Sequence, residues 1–369
     1  MLWVVPETVG GISSYSKLLW PAVRAKWKEL GNATSAELYV GVSINDIRRL
    51  TPDIVHIQHE FGVFGRKVPP MYSFPKWVRK LRRELPEAQI VATAHRVIGP
   101  EFRYPLKGHG WQLPLRWTAN NVMMPYLRRV WNEETWGGLD GVIVHSRTQA
   151  DTVKEVCERV HVIPHFVPEL TGVSNDFSRL FPAVKEERPI MLLFGFISHS
   201  KGHDIAVKAI ARMKREAVLV FAGTPRTKSD EAFLEHCFRL ATKMDVRQRV
   251  ITTGYVQDAQ IASIYRNATI VIAPFRESSG SGSLAFGLAS GKPVLASDIS
   301  LNREIFDREP GCLALFESDN PDKHAEEASR LLDDPSTCEN IVAAAKRYAE
   351  SNSPSRIAER HVAFYSELV

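Results

Sequence analysis

Three glycine-bearing turns in this 369-residue chain could each meet an anion. Gly10-Gly11-Ile12-Ser13-Ser14-Tyr15 follows an apolar run and enters an amphipathic stretch. Gly195-Phe196-Ile197-Ser198-His199-Ser200-Lys201-Gly202 stands ahead of the helical positions Ile205, Val207, Ala209 and Ile210. Glu277-Ser278-Ser279-Gly280-Ser281-Gly282-Ser283 precedes a helix expected over 284–289. A helix N-terminus offers unpaired N–H groups, glycine lets a phosphate come close, and Lys201 would add a point charge. One such turn is a generic packing feature; three, spread over both halves of the chain, favour a diphosphate. Gly280-x-Gly282 lacks the third glycine of the dinucleotide fingerprint, and Gly291-Lys292-Pro293 lacks the Ser/Thr of a phosphate loop. Hydride transfer and P-loop chemistry are therefore set aside.

A second set is imidazole. His59, His95, His145 and His165 each stand at the end of an apolar run. One histidine there is commonly structural; four at equivalent ends suggest a polar cleft wall able to handle protons. His56 and His59 are three apart, but Glu60 after them fits neither order of the helical zinc motifs, and the segment reads as strand. No metal is expected.

These residues need scaffolds. Leu2–Val5, Ile54–Ile57, Ile90–Thr93, Val142–Val144 and Val160–Ile163 are short and apolar; the pattern resumes with Ile190–Phe194, Val218–Phe221, Val250–Thr253, Ile270–Ile272 and Val294–Ala296. Continuous apolar runs alternating with amphipathic stretches read as buried parallel strands in α/β sheets. Ligands of such sheets bind beyond the carboxyl ends of the strands, where the glycines and histidines fall. The polar segment Pro168–Arg188 is the expected linker. The expected architecture is α/β, with two Rossmann-like doubly wound domains facing across a cleft. The first is expected over 1–170, closed by a terminal helix at 353–369, and the second over 185–350.

Composition agrees and excludes alternatives. With 44% hydrophobic and 24% charged residues the chain is globular, and two domains fit its length at about 150 residues each. A net charge of +5 is too small to argue for nucleic acid, and none is expected. Cys157, Cys237, Cys312 and Cys338 form no CxxC pair, so reduced thiols and a cytoplasmic location are expected. No apolar run nears the roughly 20 residues of a membrane span, and Met1–Pro6 has no signal-peptide character. The Asn32 and Asn267 sequons would then be idle.

In order along the chain stand the Gly10-Gly11-Ile12 turn, Asp53-Ile-Val-His-Ile-Gln-His-Glu-Phe-Gly62, His95, Asp140-Gly-Val-Ile-Val-His-Ser146, Val162-Ile-Pro-His165, Lys201-Gly202 and Ser290-Gly-Lys-Pro-Val294. The set resembles the retaining GT-B glycosyltransferases of family 4, the broad group that builds bacterial polysaccharides and glycolipids. The resemblance covers nearly the whole chain. It implies a nucleoside-diphosphate sugar as co-substrate, bound mainly by the C-terminal domain, and a glycan or lipid-linked acceptor bound mainly by the N-terminal one. It implies transfer with retention and no cofactor or metal, the leaving diphosphate being stabilised by Lys201 and backbone N–H groups. His95 matches the family histidine near the reaction centre, Gly10 and Gly11 the turn near the diphosphate, and Tyr255-Val256 the place of the base. Gly195, Ser198, Arg226, Ser279, Gly280, Ser281, Gly282 and Ser283 complete the expected donor set; His59, Glu60 and His145 are assigned to the acceptor side.

Two positions depart from the family pattern. Phe196 stands where an Arg commonly follows the glycine. Of two expected glutamates, one falls on Phe286, and Glu277 is read as the survivor, one place removed. Losing two charge-assisted contacts of about 1.5–3 kcal/mol each would weaken binding on the order of a hundredfold, unless Arg226, Arg276 or the serine-rich loop compensates. The rival readings are a non-catalytic GT-B scaffold or sugar-nucleotide-binding protein, and a GT-B sugar-nucleotide epimerase.

Between Arg66 and Arg83 stand Arg66, Lys67, Lys76, Arg79, Lys80, Arg82 and Arg83, interleaved with Met71, Tyr72, Phe74 and Trp77. Trp77, Val78, Leu81 and Leu85 fall near one helical face. This is either a core-packed helix with a solvated basic side, or a patch for the inner membrane surface, where each basic residue contributes about 1 kcal/mol. The segment Arg96–Trp136 reads as an acceptor-side insertion or a helical cover over the sheet.

Overall fold

The computed structural model describes residues 1–7, 11–29, 35–61, 64, 70–100, 117–171, 188–278 and 280–368, the side chains of 70–72 and 119 excepted. Gly10, Arg66, Lys67 and Ser279, and the side chains of Met71 and Tyr72, lie outside that description. The chain divides into two compact units, Met1–His165 with Pro354–Val369, and Phe166–Ser353. The division falls ahead of most of the polar segment, because Val167 and Leu170 join the second unit's core and the Val167 N–H donates to the Asn352 carbonyl at 2.8 Å.

The first unit is a six-stranded sheet of β1 (Leu2–Val5), β2 (Glu37–Val40), β3 (Ile54–His59), β4 (Gln89–Ala94), β5 (Gly141–Val144) and β6 (Val160–Val162). Their order is β2-β1-β3-β4-β5-β6, and every pair is parallel. Strand side chains alternate between faces, and here the two faces differ in kind. Leu2, Val4, Val55, Ile57, Ile90 and Ala92 build an apolar core with Phe74, Val78 and Leu81 of the helix Pro70–Glu84. Trp3, His56, Gln58 and Thr93 take the other parity. The closing helix Pro354–Ser366 sends His361 and Tyr365 to this second set, both rings within 6 Å of His56.

The second unit is also six-stranded and parallel: β7 (Ile190–Phe194), β8 (Val218–Ala222), β9 (Val250–Thr252), β10 (Ile270–Ala273), β11 (Val294–Ser297) and β12 (Ala314–Phe316), in the order β12-β11-β10-β7-β8-β9. Both faces are apolar, Ile190 and Leu192 packing on one and Met191 and Leu193 on the other. The strand order reverses direction between β7 and β10, and a doubly wound sheet opens its ligand crevice at that point. Gly202 sits there in the left-handed region (φ 70°), and a Cβ on it would lie 1.8 Å from the Pro274 carbonyl oxygen. Only glycine lets the turns after β7 and β10 approach so closely.

Candidate functional site

In the second unit the turn after β7 carries Lys201 into the switch-point crevice, and the loop after β10 brings two serines to meet it. Ser281 caps the helix Gly282–Ala289, its Oγ accepting from the Leu284 N–H; the helix thus starts two residues before the expected Leu284. The Lys201 ammonium donates to Ser281 Oγ (3.3 Å) and Ser283 Oγ (3.2 Å) and lies 3.8 Å from the centre of the Phe275 ring. Among the described residues no carboxylate pairs with it. Desolvation brings its pKa down to about 8. A buried ammonium held by hydroxyls and a ring face, beside a helix N-terminus, is arranged to receive an anion.

The surrounding donor-side residues sort themselves by geometry. Gly195 adopts φ 117°, and its N–H donates to the Ala222 carbonyl, joining the turns after β7 and β8. The Ser198 carbonyl accepts from the Lys201 backbone N–H (3.2 Å) and faces His203 Nδ1 (3.3 Å), while its hydroxyl meets that of Ser200. Gly280 and Gly282 flank Ser281 in the loop. Phe196 stands 37% exposed with the Arg226 guanidinium 4.5 Å above its ring. The position that lacks an arginine in sequence therefore supports one in space, delivered by the turn after β8.

Other expectations change. Arg276 is not available to compensate: it holds both Asp204 oxygens (2.8 and 2.9 Å), Asp319 and the His199 carbonyl, and so braces the turn rather than facing a ligand. The Val256 side chain is in the core, so only Tyr255, 67% exposed, can offer a side chain to a base. Phe286 packs against Phe194 and Tyr265 in the same core. Glu277 is exposed and outside the Lys201–Ser281–Ser283 cluster.

In the first unit the histidines do not form one open wall. His59 shares parity with Val55 and Ile57, so it enters the core among Phe61, Phe74 and Trp136. Burial pushes it down to about 3. It is a packing residue rather than an acceptor contact. Glu60 beside it is half-buried and accepts the Phe61 N–H at 3.1 Å. His95, half-buried, and His145, buried, do come together: His95 Nδ1 lies 3.3 Å from His145 Nε2, and His145 Nδ1 lies 3.0 Å from the Ile163 carbonyl oxygen. Tyr15, from the helix Gly11–Glu29, presents its ring to His95, His145 and His165. Burial lowers the pKa of His145, and burial with the neighbouring His145 and His165 lowers that of His95.

Sequence reasoning overlooked the partners of His95. Gln58 places its amide oxygen 2.9 Å from His95 Nε2 and its amide nitrogen 3.3 Å from His56 Nε2. His56 in turn meets Thr93 Oγ1 at 2.8 Å and the Tyr365 hydroxyl. The signal was present in the β3 alternation, where two polar residues share one parity inside an apolar strand. Among the described residues no cluster of three metal-ligating side chains occurs.

Known proteins can be set beside this geometry. Sucrose-phosphate synthase from Thermosynechococcus elongatus superposes with a TM-score of 0.74 at 15% identity, covering 100% of this chain and 98% of that one. Anabaena HepE in complex with UDP-glucose gives 0.72 at 14%, covering 100% and 99%. Two parallel six-stranded sheets with this whole-length likeness define the GT-B fold class. More particularly, residues 175–348 match the family described as glycosyl transferases group 1. The chain is 26% identical over 222 residues to D-inositol 3-phosphate glycosyltransferase 1 of Catenulispora acidiphila, an alignment covering 58% of this chain and 52% of that protein. It is 24% identical over 345 residues to the D-inositol 3-phosphate glycosyltransferase of Streptomyces bingchenggensis, covering 78% and 73%. It spans about half the length of the first curated relatives it matches.

Proposed function

We propose that the protein is a retaining glycosyltransferase that moves a sugar from a nucleoside diphosphate to a glycan or lipid-linked acceptor, without a metal ion, in surface polysaccharide or glycolipid assembly. The observation that carries the reading is Lys201, a desolvated ammonium with hydroxyl partners and, among the described residues, no carboxylate, at the switch point of a domain that matches the group 1 glycosyl transferases. Departure of the sugar leaves negative charge on the diphosphate. A fixed cation and oriented N–H groups stabilise that charge more than they stabilise the bound donor, which lowers the barrier. Arg226, on its Phe196 shelf, adds a second cation for the phosphates, and Tyr255 a face for the base. Uridine is the first base to try, because HepE is a UDP-glucose complex.

The acceptor side is read from the first unit. On the helix Pro70–Glu84, Arg82 is consumed by Asp140 and the Ala88 carbonyl, and Arg79 by Glu134. Lys76, Lys80 and Arg83 are exposed with no ion-pair partner among the described residues. Trp117, Val122, Met123 and Tyr126, ahead of and opening the helix that Arg79 contacts through Glu134, are 55–70% exposed. Unpaired cations and exposed aromatics on the same unit favour an anionic bilayer surface, and no helix among the described residues is long and apolar enough to cross a membrane. The deciding experiment is a thermal-shift panel of uridine, guanosine and adenosine diphosphates, followed by hydrolysis of the sugar donor carrying the winning base. A shift with one of them and release of free sugar are expected; no shift with any and no hydrolysis would overturn the reading.

A further inference from the structure

The hydrogen bonds around His95 form a line whose polarity can be worked out atom by atom. At one end stands a carbonyl, which only accepts. His145 Nδ1, 3.0 Å from the Ile163 oxygen, must therefore carry a proton. In a neutral ring its Nε2 is then bare, and the atom facing it, His95 Nδ1 at 3.3 Å, must be the donor. A neutral His95 is in consequence bare on Nε2, and the amide atom placed 2.9 Å from it is the Gln58 oxygen, two acceptors opposed until the amide turns over and offers its N–H. The oxygen and nitrogen of a glutamine amide exchange on a half-turn, so the ring decides which one faces it. With the amide nitrogen toward His95, its oxygen faces His56 Nε2, which also lies 2.8 Å from Thr93 Oγ1. His56 Nε2 is then the protonated atom, and its Nδ1 accepts from the Tyr365 hydroxyl. No contact along the line is left with two lone pairs or two protons opposed.

We infer that Gln58 and His145 are positioning residues that hold His95 as a neutral ring protonated on Nδ1, within a one-way chain of donors running from Tyr365 of the closing helix to the Ile163 carbonyl. The opposite amide orientation would put a proton on His95 Nε2 and oppose two bare nitrogens between His95 and His145. That arrangement is relieved only by an extra proton, which burial of both rings disfavours. The chemical value of the lock rests on the glycosyltransferase reading. A sugar leaving a diphosphate develops positive charge at its anomeric carbon, and an imidazolium beside it would oppose that charge. A ring kept neutral does not, and it has no acidic proton on Nε2 to misdirect.

The test reads the ring directly. The full chain labelled with ¹⁵N-histidine is examined by long-range ¹H–¹⁵N correlation at pH 7, with His95 assigned by its loss in His95→Asn. A neutral Nδ1–H pattern is expected; an Nε2–H or an imidazolium pattern overturns the proposal. Gln58→Glu supplies an acceptor-only side chain and should convert His95 to an Nε2-protonated ring with a raised pKa. It should also lower kcat at least tenfold at pH 7 with KM little changed, the loss recovering as pH rises. A folded Gln58→Glu protein whose His95 signals match the wild type also overturns it. If that variant does not fold, the wild-type spectrum alone decides. The expected spectrum in a protein that hydrolyses and transfers no sugar would sink the glycosyltransferase reading and leave the chain of donors standing.

Discussion

The two units wind their sheets alike and treat charge in opposite ways. At the strand ends of the first, half-buried His95 and buried His145 stand side by side with lowered pKa values, and the hydrogen-bond partners described for them above are neutral. At the switch point of the second, Lys201 keeps an ammonium in a desolvated place where, among the described residues, hydroxyls and a ring face meet it. One crevice is furnished to stay uncharged and the other to stay short of a negative charge. The same topology thus carries two opposite electrostatic furnishings.

This contrast can be broken at several points. Lys201→Ala should cost the most, roughly 10²–10³ in kcat, the scale of removing one preorganised charge stabiliser, with a Tm close to wild type or above it. A transfer rate within threefold of wild type would remove Lys201 from the chemistry. Replacing Lys76, Lys80 and Arg83 together by serine should weaken binding to anionic vesicles roughly a hundredfold, at about 1 kcal/mol per cation, and leave hydrolysis of the donor unchanged. Cosedimentation at two salt concentrations measures it, and salt-independent binding would argue against a charged surface.

Alkali should act on the second unit alone. Lys201 loses its charge as pH rises through about 8, so nucleoside diphosphate affinity should fall by up to roughly tenfold per pH unit above that point. Calorimetry at pH 7 and 9 reads this, and in Lys201→Met the fall should vanish. Acid should act mainly on the first. Its buried His59 and His361 titrate near 3 and 4 when folded, against about 6.5 in an unfolded chain. Between those values the unfolded state binds more protons, so this stability is full above pH 6.5 and drains away as pH falls toward 4. Burial lowers His56, His95 and His145 of the same unit as well, five histidines against His203 and His324 in the second among the described residues. Hydrogen exchange at pH 7 and 5 should show protection lost first in β3–β5, and equal losses in both sheets would contradict the contrast. Smallest is Arg226→Ala, expected to weaken the diphosphate roughly tenfold through one charge-assisted contact of about 1.5 kcal/mol.

The sheets were legible in sequence because strands buried on both faces read as unbroken apolar runs, and Lys201 because it stands in one of three glycine turns that follow such runs. What stayed hidden depends on parity and distance. Whether His59 or His56 enters the apolar core is set by which face of β3 meets the helix Pro70–Glu84, and a list of strand ends carries no face. Arg276 looked free until folding brought Asp204 and Asp319 to it. The partners of His95 come from β3, β5 and the closing helix, and no spacing along the chain links His56 to Tyr365.

That closing helix has a consequence for synthesis. The first unit is begun by the earliest residues and completed by Pro354–Ser366, whose His361 and Tyr365 cover the polar face of β1 and β3. The second unit is contiguous. At about 5–20 residues per second on a ribosome, the nascent first sheet waits on the order of ten seconds or more with His56 lacking His361 and Tyr365, while the domain made after it can already fold. The order of completion is the reverse of the order of synthesis.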